Sequence, residues 1–328
     1  MPGRLLEDDA LVHRIVEAAA AAPSIHNTQP WRFRIAGRDL IEVYADVDRM
    51  LWIADPKGRA LHLSCGAALL NLRLALRASG YRPLVWPLPD PDGSPTLMAS
   101  VQLADGRRPT TAERQMFAAI GIRHSSRQPF SDRPVPDAVL VAMEQDAAAE
   151  GTLLRTLAAR DVAVVLALVE AADRELTSDR EHNSELAAWI CAPASAGLGI
   201  PASALGPRPD RQPAPVREFG RHPAAEQPPA TFELQPKLAV LATARDDPAD
   251  WLRAGQALQR ALLTATTYGL ATSMLYQPME LHDMRGRPGW WPWPEYPQLI
   301  VRYGYGPHAT ATPRQPITAL LADDPAGE

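Results

Sequence analysis

The sequence predicts an α+β layer fold made of two like halves. Three observations predict it: two almost wholly apolar segments with one glycine spacing, strand-like runs on either side of each, and a proline-rich stretch set apart from both. In LHLSCGAALLNLRLALRASG, Gly66 opens a G-x-A-L run and Gly80 closes the segment. In DWLRAGQALQRALLTATTYG, Gly255 and Gly269 do the same, fourteen positions apart in both cases. Leu63, Ala68, Leu69 and Leu74 match Leu252, Ala257, Leu258 and Leu263. A segment apolar nearly all round is a buried helix, and glycine after the last turn is a usual stop. The small residues around Gly66 and Gly255 let another backbone come close.

The flanks repeat too. LIEVYADV precedes the first helix and KLAVLATA the second, while TLMASVQL and QLIVRYGY follow them. Each half reads as helix, strand, central helix, strand, which is an α+β layer arrangement. The halves are expected at 1–110 and 111–328. Two copies in one chain imitate a homodimer, with the central helices packed on each other. Ten of the 33 prolines and four glycines fall between Ile190 and Pro236, a composition that resists helix and strand. Residues 190–235 read as an ordered cover, because Leu198, Ile200, Leu205, Phe219 and Phe232 supply apolar anchors; the alternative is a disordered linker.

Bulk properties narrow the function. A net charge of −5 over 328 residues lacks the basic excess of a nucleic-acid surface. Acids at the amino terminus do not suit a signal peptide, and no apolar run has the length a membrane helix needs. A cytoplasmic protein without nucleic-acid or membrane partners is expected. Cys65 and Cys191 form no metal spacing, nor do His13, His62, His182, His222, His282 and His308. DREHNSEL (179–186) reads as the polar face of a helix. GRPGWWPWPEYP (286–297) reads as a hydrophobic turn at a domain edge or an aromatic pocket wall.

Two stretches carry chemistry. APSIHNTQPWRF (22–33) stops an alanine-rich helix and holds polar residues between Pro23 and Pro30. RHSSRQPF (123–130) places two arginines, a histidine and two serines ahead of a helix. Guanidinium and hydroxyl donors together suit a phosphate ester, although short basic runs are also common as solvated loops.

Together these stretches resemble the FMN-dependent nitroreductase superfamily, and the tandem arrangement resembles its Acg-like branch. ELAAWI, GIPASALG, TSMLYQPMEL and PQLIVRYGYG…TPRQPI support the resemblance over nearly the whole chain. It implies a nitroreductase-like fold with a Pro-rich lid. It assigns Arg123, His124, Ser125 and Arg127 to the flavin phosphate, with Arg314 reaching it from the carboxy terminus. It assigns Pro23, Ser24, Ile25 and Asn27 to the ring and ribityl chain, and Tyr276, Gln277 and Pro278 to the ring edge. Many members carry serine where Ile25 stands, so Ile25 contributes backbone or apolar contact only. Gln29 and Trp31 read as structural.

The order of the two stretches is reversed relative to a standard member. The second copy of the A-P-S segment is replaced by DAAAEGTLLRTL, and no arginine-serine cluster precedes the first. One composite site is therefore complete and its counterpart lost, which implies one FMN per chain and a monomer. The implied activity is transfer of hydride from NADH or NADPH through FMN to a nitroaromatic, quinone or similar small-molecule acceptor, with no catalytic side chain nominated. Alternatives are a flavin-sequestering protein with little turnover, if the lid covers the ring, and an interaction module without flavin.

Overall fold

The computed structural model describes residues 8–190, 197–211, 214–217, 219, 227–281, 291–307 and 309–322. Cys191, His222, His282, His308 and residues 286–290 of the tryptophan-rich stretch lie outside the described residues.

Helix α1 (Asp9–Ala20) starts where the Asp8 carboxylate accepts hydrogen bonds from the Ala10 and Leu11 amides. Strands β1 (Trp31–Ala36) and β2 (Leu40–Ala45) follow. The central helix α2 (Arg59–Ala78) comes next, then β3 (Tyr81–Pro87) and β4 (Leu97–Asp105). These strands form an antiparallel sheet in the order β1-β2-β4-β3. The chain then passes through α3 (Thr111–Ala119), α4 (Asp137–Ala149), β5 (Leu153–Thr156), α5 (Ala159–Ser178) and α6 (Arg180–Trp189). The described residues of the proline-rich stretch include a 3-10 turn (Ala202–Ala204) and a short parallel pair, β6 (Arg208–Pro209) and β7 (Pro229–Ala230). Beyond it lie β8 (Lys237–Thr243), α7 (Pro248–Thr267), β9 (Ala271–Leu275), α8 (Gln277–Glu280) and β10 (Tyr296–Gly304). The second sheet has the order β5-β8-β10-β9, so α4, β5, β8, α7, β9 and β10 occupy the places of α1, β1, β2, α2, β3 and β4.

The central helices cross at their glycines. A methyl group on Gly66 would collide with the Leu252 carbonyl oxygen, and one on Gly255 with that of Leu63. Only glycine lets the backbones approach this closely. One polar pair bridges the buried seam: Gln259 Nε2 donates to Asn71 Oδ1 at 2.7 Å, and Asn71 Nδ2 donates to the Ala18 carbonyl at 2.9 Å. Asn71, with partners on both sides, fixes register, while the buried Gln259 Oε1 has no hydrogen-bond partner among the described residues.

The sequence supplied β2, β4, β8 and β10. It did not show β1, β3, β5 and β9, which are the outer strands of the two sheets. The carboxy-terminal residues do not stay with the second half. Leu321 pairs with Phe33 at the edge of the first sheet, and the Ala322 amide donates to the Phe33 carbonyl at 2.8 Å. This return run brings Arg314 to the end of α1. On α6, His182 and Leu186 are buried, so DREHNSEL is amphipathic rather than a purely polar face.

Candidate cofactor site

After α1 the backbone enters a rare conformation. Four non-glycine residues among those described have positive φ, and three of them are His26 (47°), Asn27 (58°) and Gln29 (49°). Each such residue costs on the order of 1–3 kcal/mol and persists only where its surroundings impose it. Here the surroundings are partly local and partly remote in sequence. The Ser24 hydroxyl accepts from the Gln29 amide at 3.0 Å, and the Ser24 carbonyl from the Asn27 amide at 3.1 Å. The Gln29 side chain donates to the Gly197 carbonyl at 2.6 Å and accepts from the Gln315 amide at 3.0 Å. Trp31 is fully buried behind the turn. The two prolines thus bound a strained, tightly tied platform.

The arginine-serine segment is pinned within its own, second half. The Ser126 amide donates to the Thr272 carbonyl of β9 at 2.7 Å. The Gln128 carbonyl accepts from Arg302 of β10 at 3.0 Å, and the Phe130 amide donates to Glu233 at 3.0 Å. Arg302 itself is fully buried, paired with Glu233 and stacked 3.7 Å from the Phe130 ring centroid.

The two segments and the carboxy-terminal run share one cavity of about 60 Å³. Of the residues named from the sequence, Pro23, Ser24, Asn27, Arg123, His124, Ser125, Arg127, Tyr276 and Arg314 line it. Ile25, Gln277 and Pro278 do not reach its wall. Ile25 is buried in the apolar core beside Leu63 and Leu258. Gln277 and Pro278 begin α8, whose four residues all turn inward. The Gln277 amide is fully buried with neither of its polar atoms hydrogen-bonded among the described residues.

Three guanidiniums define the electrostatics. Arg123 Nη2 donates to the Ala21 carbonyl at 3.1 Å, and Arg314 Nη2 reaches the same oxygen at 3.3 Å. Arg127 Nη1 donates to the Ala204 carbonyl at 2.9 Å. Among the described residues none of the three meets a carboxylate, and the buried Arg123 Nε has no hydrogen-bond partner. Burial, then the Arg314 charge, lowers Arg123 to about 9. Burial, then Arg217, lowers Arg127 to about 10, and burial lowers Arg314 to about 10. All three remain protonated at neutral pH. Arg123 is buried and Arg127 and Arg314 are half-buried; withdrawing cations from water without acid partners is costly, and an anion between them would offset that cost.

Asn27 acts differently from a ligand-facing amide. Its Nδ2 donates to the Gly199 carbonyl at 2.9 Å and the Pro313 carbonyl at 3.0 Å, while Oδ1 accepts from Arg314 at 2.9 Å. Both donors are engaged, so Asn27 ties α1's end, the proline-rich stretch and the carboxy-terminal run together.

Eight wall residues are not assigned to the site from the sequence; His26, Ser273, Met274 and Thr312 are four of them, and Ile200 and Phe219 read there only as anchors of the cover. Ile200, Val216, Arg217 and Phe219 reach the cavity from the proline-rich stretch. The Phe219 ring lies 5.2 Å from the Arg127 guanidinium carbon and 5.7 Å from that of Arg217. Arg217 pairs with Glu280, whose Oε2 also accepts from His182 at 3.0 Å. Burial alone would raise the Glu280 carboxyl, but Arg217 and the His182 hydrogen bond outweigh it and hold it well below the carboxylate range. His26 is lowered to about 3 by burial, then by the Arg217 charge. The apolar residues in the stretch hinted at burial; nothing in the sequence paired Arg217 with a glutamate 63 positions away.

Known proteins resemble the chain along nearly its whole length. A Mycobacterium tuberculosis protein named "Putative NAD(P)H nitroreductase Rv3131" is 35% identical over 329 residues, 96% of this chain and 92% of that protein. Another from the same organism, "Putative NAD(P)H nitroreductase acg", is 32% identical over 334 residues, 98% of each chain. The chain belongs to the Acg-like branch of the nitroreductase superfamily. No protein-family model matches it. Among solved structures, a nitroreductase from Anabaena variabilis aligns over 90% of this chain and 88% of its own, with a TM-score of 0.49 and 12% identity. A nitroreductase with bound FMN from Desulfitobacterium hafniense covers 64% of this chain and 98% of its own, with a TM-score of 0.39 and 15% identity. In this Acg-like chain no described helix is long and apolar enough to cross a membrane, and the described residues hold no cluster of metal-ligating side chains.

Proposed function

We propose that this chain is an FMN-dependent oxidoreductase with one flavin site, formed by Arg123, Arg127 and Arg314 around the platform at Pro23–Asn27. The carrying observation is the set of three guanidiniums, Arg123 buried and Arg127 and Arg314 half-buried, without acid partners among the described residues. A phosphate offers each of them a charge-assisted hydrogen bond, and the orphaned Arg123 Nε gains an acceptor. His124 and Ser125 add neutral donors on the same wall, since burial, then Arg123, lowers the His124 imidazole. Tyr276 stays a neutral phenol because burial pushes its hydroxyl up. His26 stays neutral at pH 7. The rigid backbone from Ser24 to Gln29 orients whatever lies along it. When bound, FMN supplies the redox chemistry, accepting hydride from NADH or NADPH and reducing a nitroaromatic, quinone or similar acceptor.

The donor set fits a flavin mononucleotide. The space does so once side chains move, because 60 Å³ is below the 300–1,000 Å³ of ordinary ligand pockets. Ile200, Val216 and Phe219 are the apolar wall residues contributed by the proline-rich stretch. The test is absorbance of the purified protein with FMN titration: saturation at one flavin per chain is expected, and Arg123→Ala with Arg127→Ala should lower occupancy sharply. Saturation at two, or full occupancy in the double variant, would remove the assignment.

The filling of the cavity by the proline-rich stretch favours a second reading, a flavin-sequestering protein with little turnover. Mixing the yellow protein anaerobically with NADH or NADPH separates the two. Rapid bleaching supports the oxidoreductase; persistent colour at full occupancy supports sequestration.

A further inference from the structure

The larger concavity of the molecule lies elsewhere, a cleft of about 810 Å³ between α2 and α7. Its position follows from the matching sheet orders. The cofactor cavity is walled by the turn after α1 and by Ser273, Met274 and Tyr276 at the end of β9. The large cleft is walled by Ala149 and Glu150 at the end of α4 and by Val85 and Pro87 of β3. Since α4 stands for α1 and β3 for β9, the cleft is the counterpart of the cofactor cavity in the other half.

Its chemistry has changed. Val85, Pro87 and Met116 make an accessible apolar floor over the buried Leu70, Leu74 and Leu252. Five arginines line it against three carboxylates, those of Glu113, Asp146 and Glu150, a local excess of positive charge on a chain whose net charge is −5. Glu150 is gripped by Arg73 at 2.6 Å and Arg260 at 2.9 Å. Those arginines keep donors in reserve. Arg73 bonds Glu150 and Gln256 through Nη1 alone, and Arg260 uses Nε and Nη1, so Nη2 of each is unbonded among the described residues. Arg82 is exposed at the rim. Low-dielectric walls with one sign of charge concentrate counter-ions, and an apolar floor with few polar anchors is the ordinary make-up of a ligand pocket.

We propose that this cleft binds a second ligand, an apolar carboxylate whose body lies on Val85, Pro87 and Met116 and whose anionic head meets the free guanidinium edges of Arg73 and Arg260. The site is independent of the flavin assignment, and its own paired acids exclude a dianionic phosphate as the natural occupant. The probe is 2-naphthoate, titrated calorimetrically into the full chain saturated with FMN and, in parallel, without added FMN. One saturable site is expected in both arms, with the flavin absorbance unchanged. Uncharged 2-naphthalenemethanol should bind at least tenfold more weakly. Ala149→Trp fills the cleft from an exposed position without touching an ion pair and should weaken 2-naphthoate at least tenfold. Arg73→Lys with Arg260→Lys keeps a cation beside Glu150 but removes the free Nη2 donors, and should do the same while leaving FMN affinity intact. No saturable binding in either arm overturns the proposal. Binding that shifts the flavin spectrum, or that is indifferent to Ala149→Trp or to the arginine pair, also overturns it.

Discussion

Replacing Arg123 by methionine separates a ligand-holding arginine from a structural one, because the two roles predict opposite signs. The side chain is 3% exposed. Its fall from 12.5 to about 9 corresponds to about 5 kcal/mol of unfavourable charge burial at neutral pH. Because this base is lowered on folding, the unfolded chain holds more protons between pH 9 and 12.5, so the penalty is full below 9 and fades above it. Methionine keeps the apolar stem and removes the charge. The loss is one hydrogen bond to the Ala21 carbonyl, about 1.5–3 kcal/mol for a charged donor. That oxygen keeps Arg314 as a partner, so it is not left bare. The balance is a ligand-free protein more stable by about 2 kcal/mol that binds FMN about 10- to 150-fold more weakly. Urea unfolding of FMN-free protein and fluorescence titration with FMN measure both. A variant that unfolds more easily yet binds FMN as tightly as the parent would refute the reasoning, since Arg123 would then only brace Ala21.

His26 gives a pH prediction. Its folded value of about 3 lies below the ordinary 6.5, so the unfolded chain binds the extra proton and stability falls as pH drops below 6.5. Between pH 7 and 5 the loss is about 2 kcal/mol. His26→Asn, which tolerates positive φ, should remove that portion of the acid dependence; identical pH profiles for variant and parent would contradict it. Gly66→Ala forces a methyl group into the Leu252 carbonyl and should cost at least about 3 kcal/mol, read as loss of soluble protein or of melting temperature. A tolerated substitution would mean that the central helices do not cross there. Glu280→Gln leaves Arg217 buried without its counter-charge, with an expected cost of about 3 kcal/mol. A melting temperature equal to the parent's would show that the Arg217–Glu280–His182 cluster is energetically idle.

Legibility in the sequence followed the range of the forces involved. The central helices were readable because their burial on all sides and their glycines are local patterns. Strands β2, β4, β8 and β10 were readable because each is a long apolar run, with buried residues predominating in all four. Strands β1, β3, β5 and β9 are outer strands, short or carrying polar and proline residues, and only pairing makes them strands. At the site, the arginine-serine cluster and the Pro23–Asn27 turn declared themselves by composition. The engagement of Asn27 did not. Its partners, Gly199 and Pro313, are 172 and 286 positions away, and no local pattern encodes such a meeting. Gln277 sits next to the wall residue Tyr276, yet a single helical turn points it inward.

The contrast between the two clefts explains why one fold holds two unlike sites. Both are built from the same elements, and both collect arginines. In the larger one, Asp146, Glu150 and Glu113 answer the guanidiniums, so that wall is stable by itself and stays open. In the smaller one no acid answers Arg123, Arg127 or Arg314 among the described residues, and on the proposed reading the cost of withdrawing these cations from water is recovered only when an anion binds. A carboxylate placed beside Arg123 would therefore stabilise the protein and close the site in one step. The absence of that carboxylate ties the strained platform, the pinned arginine loop and the returning carboxy terminus into one device, because each delivers a cation or its support to the same small volume.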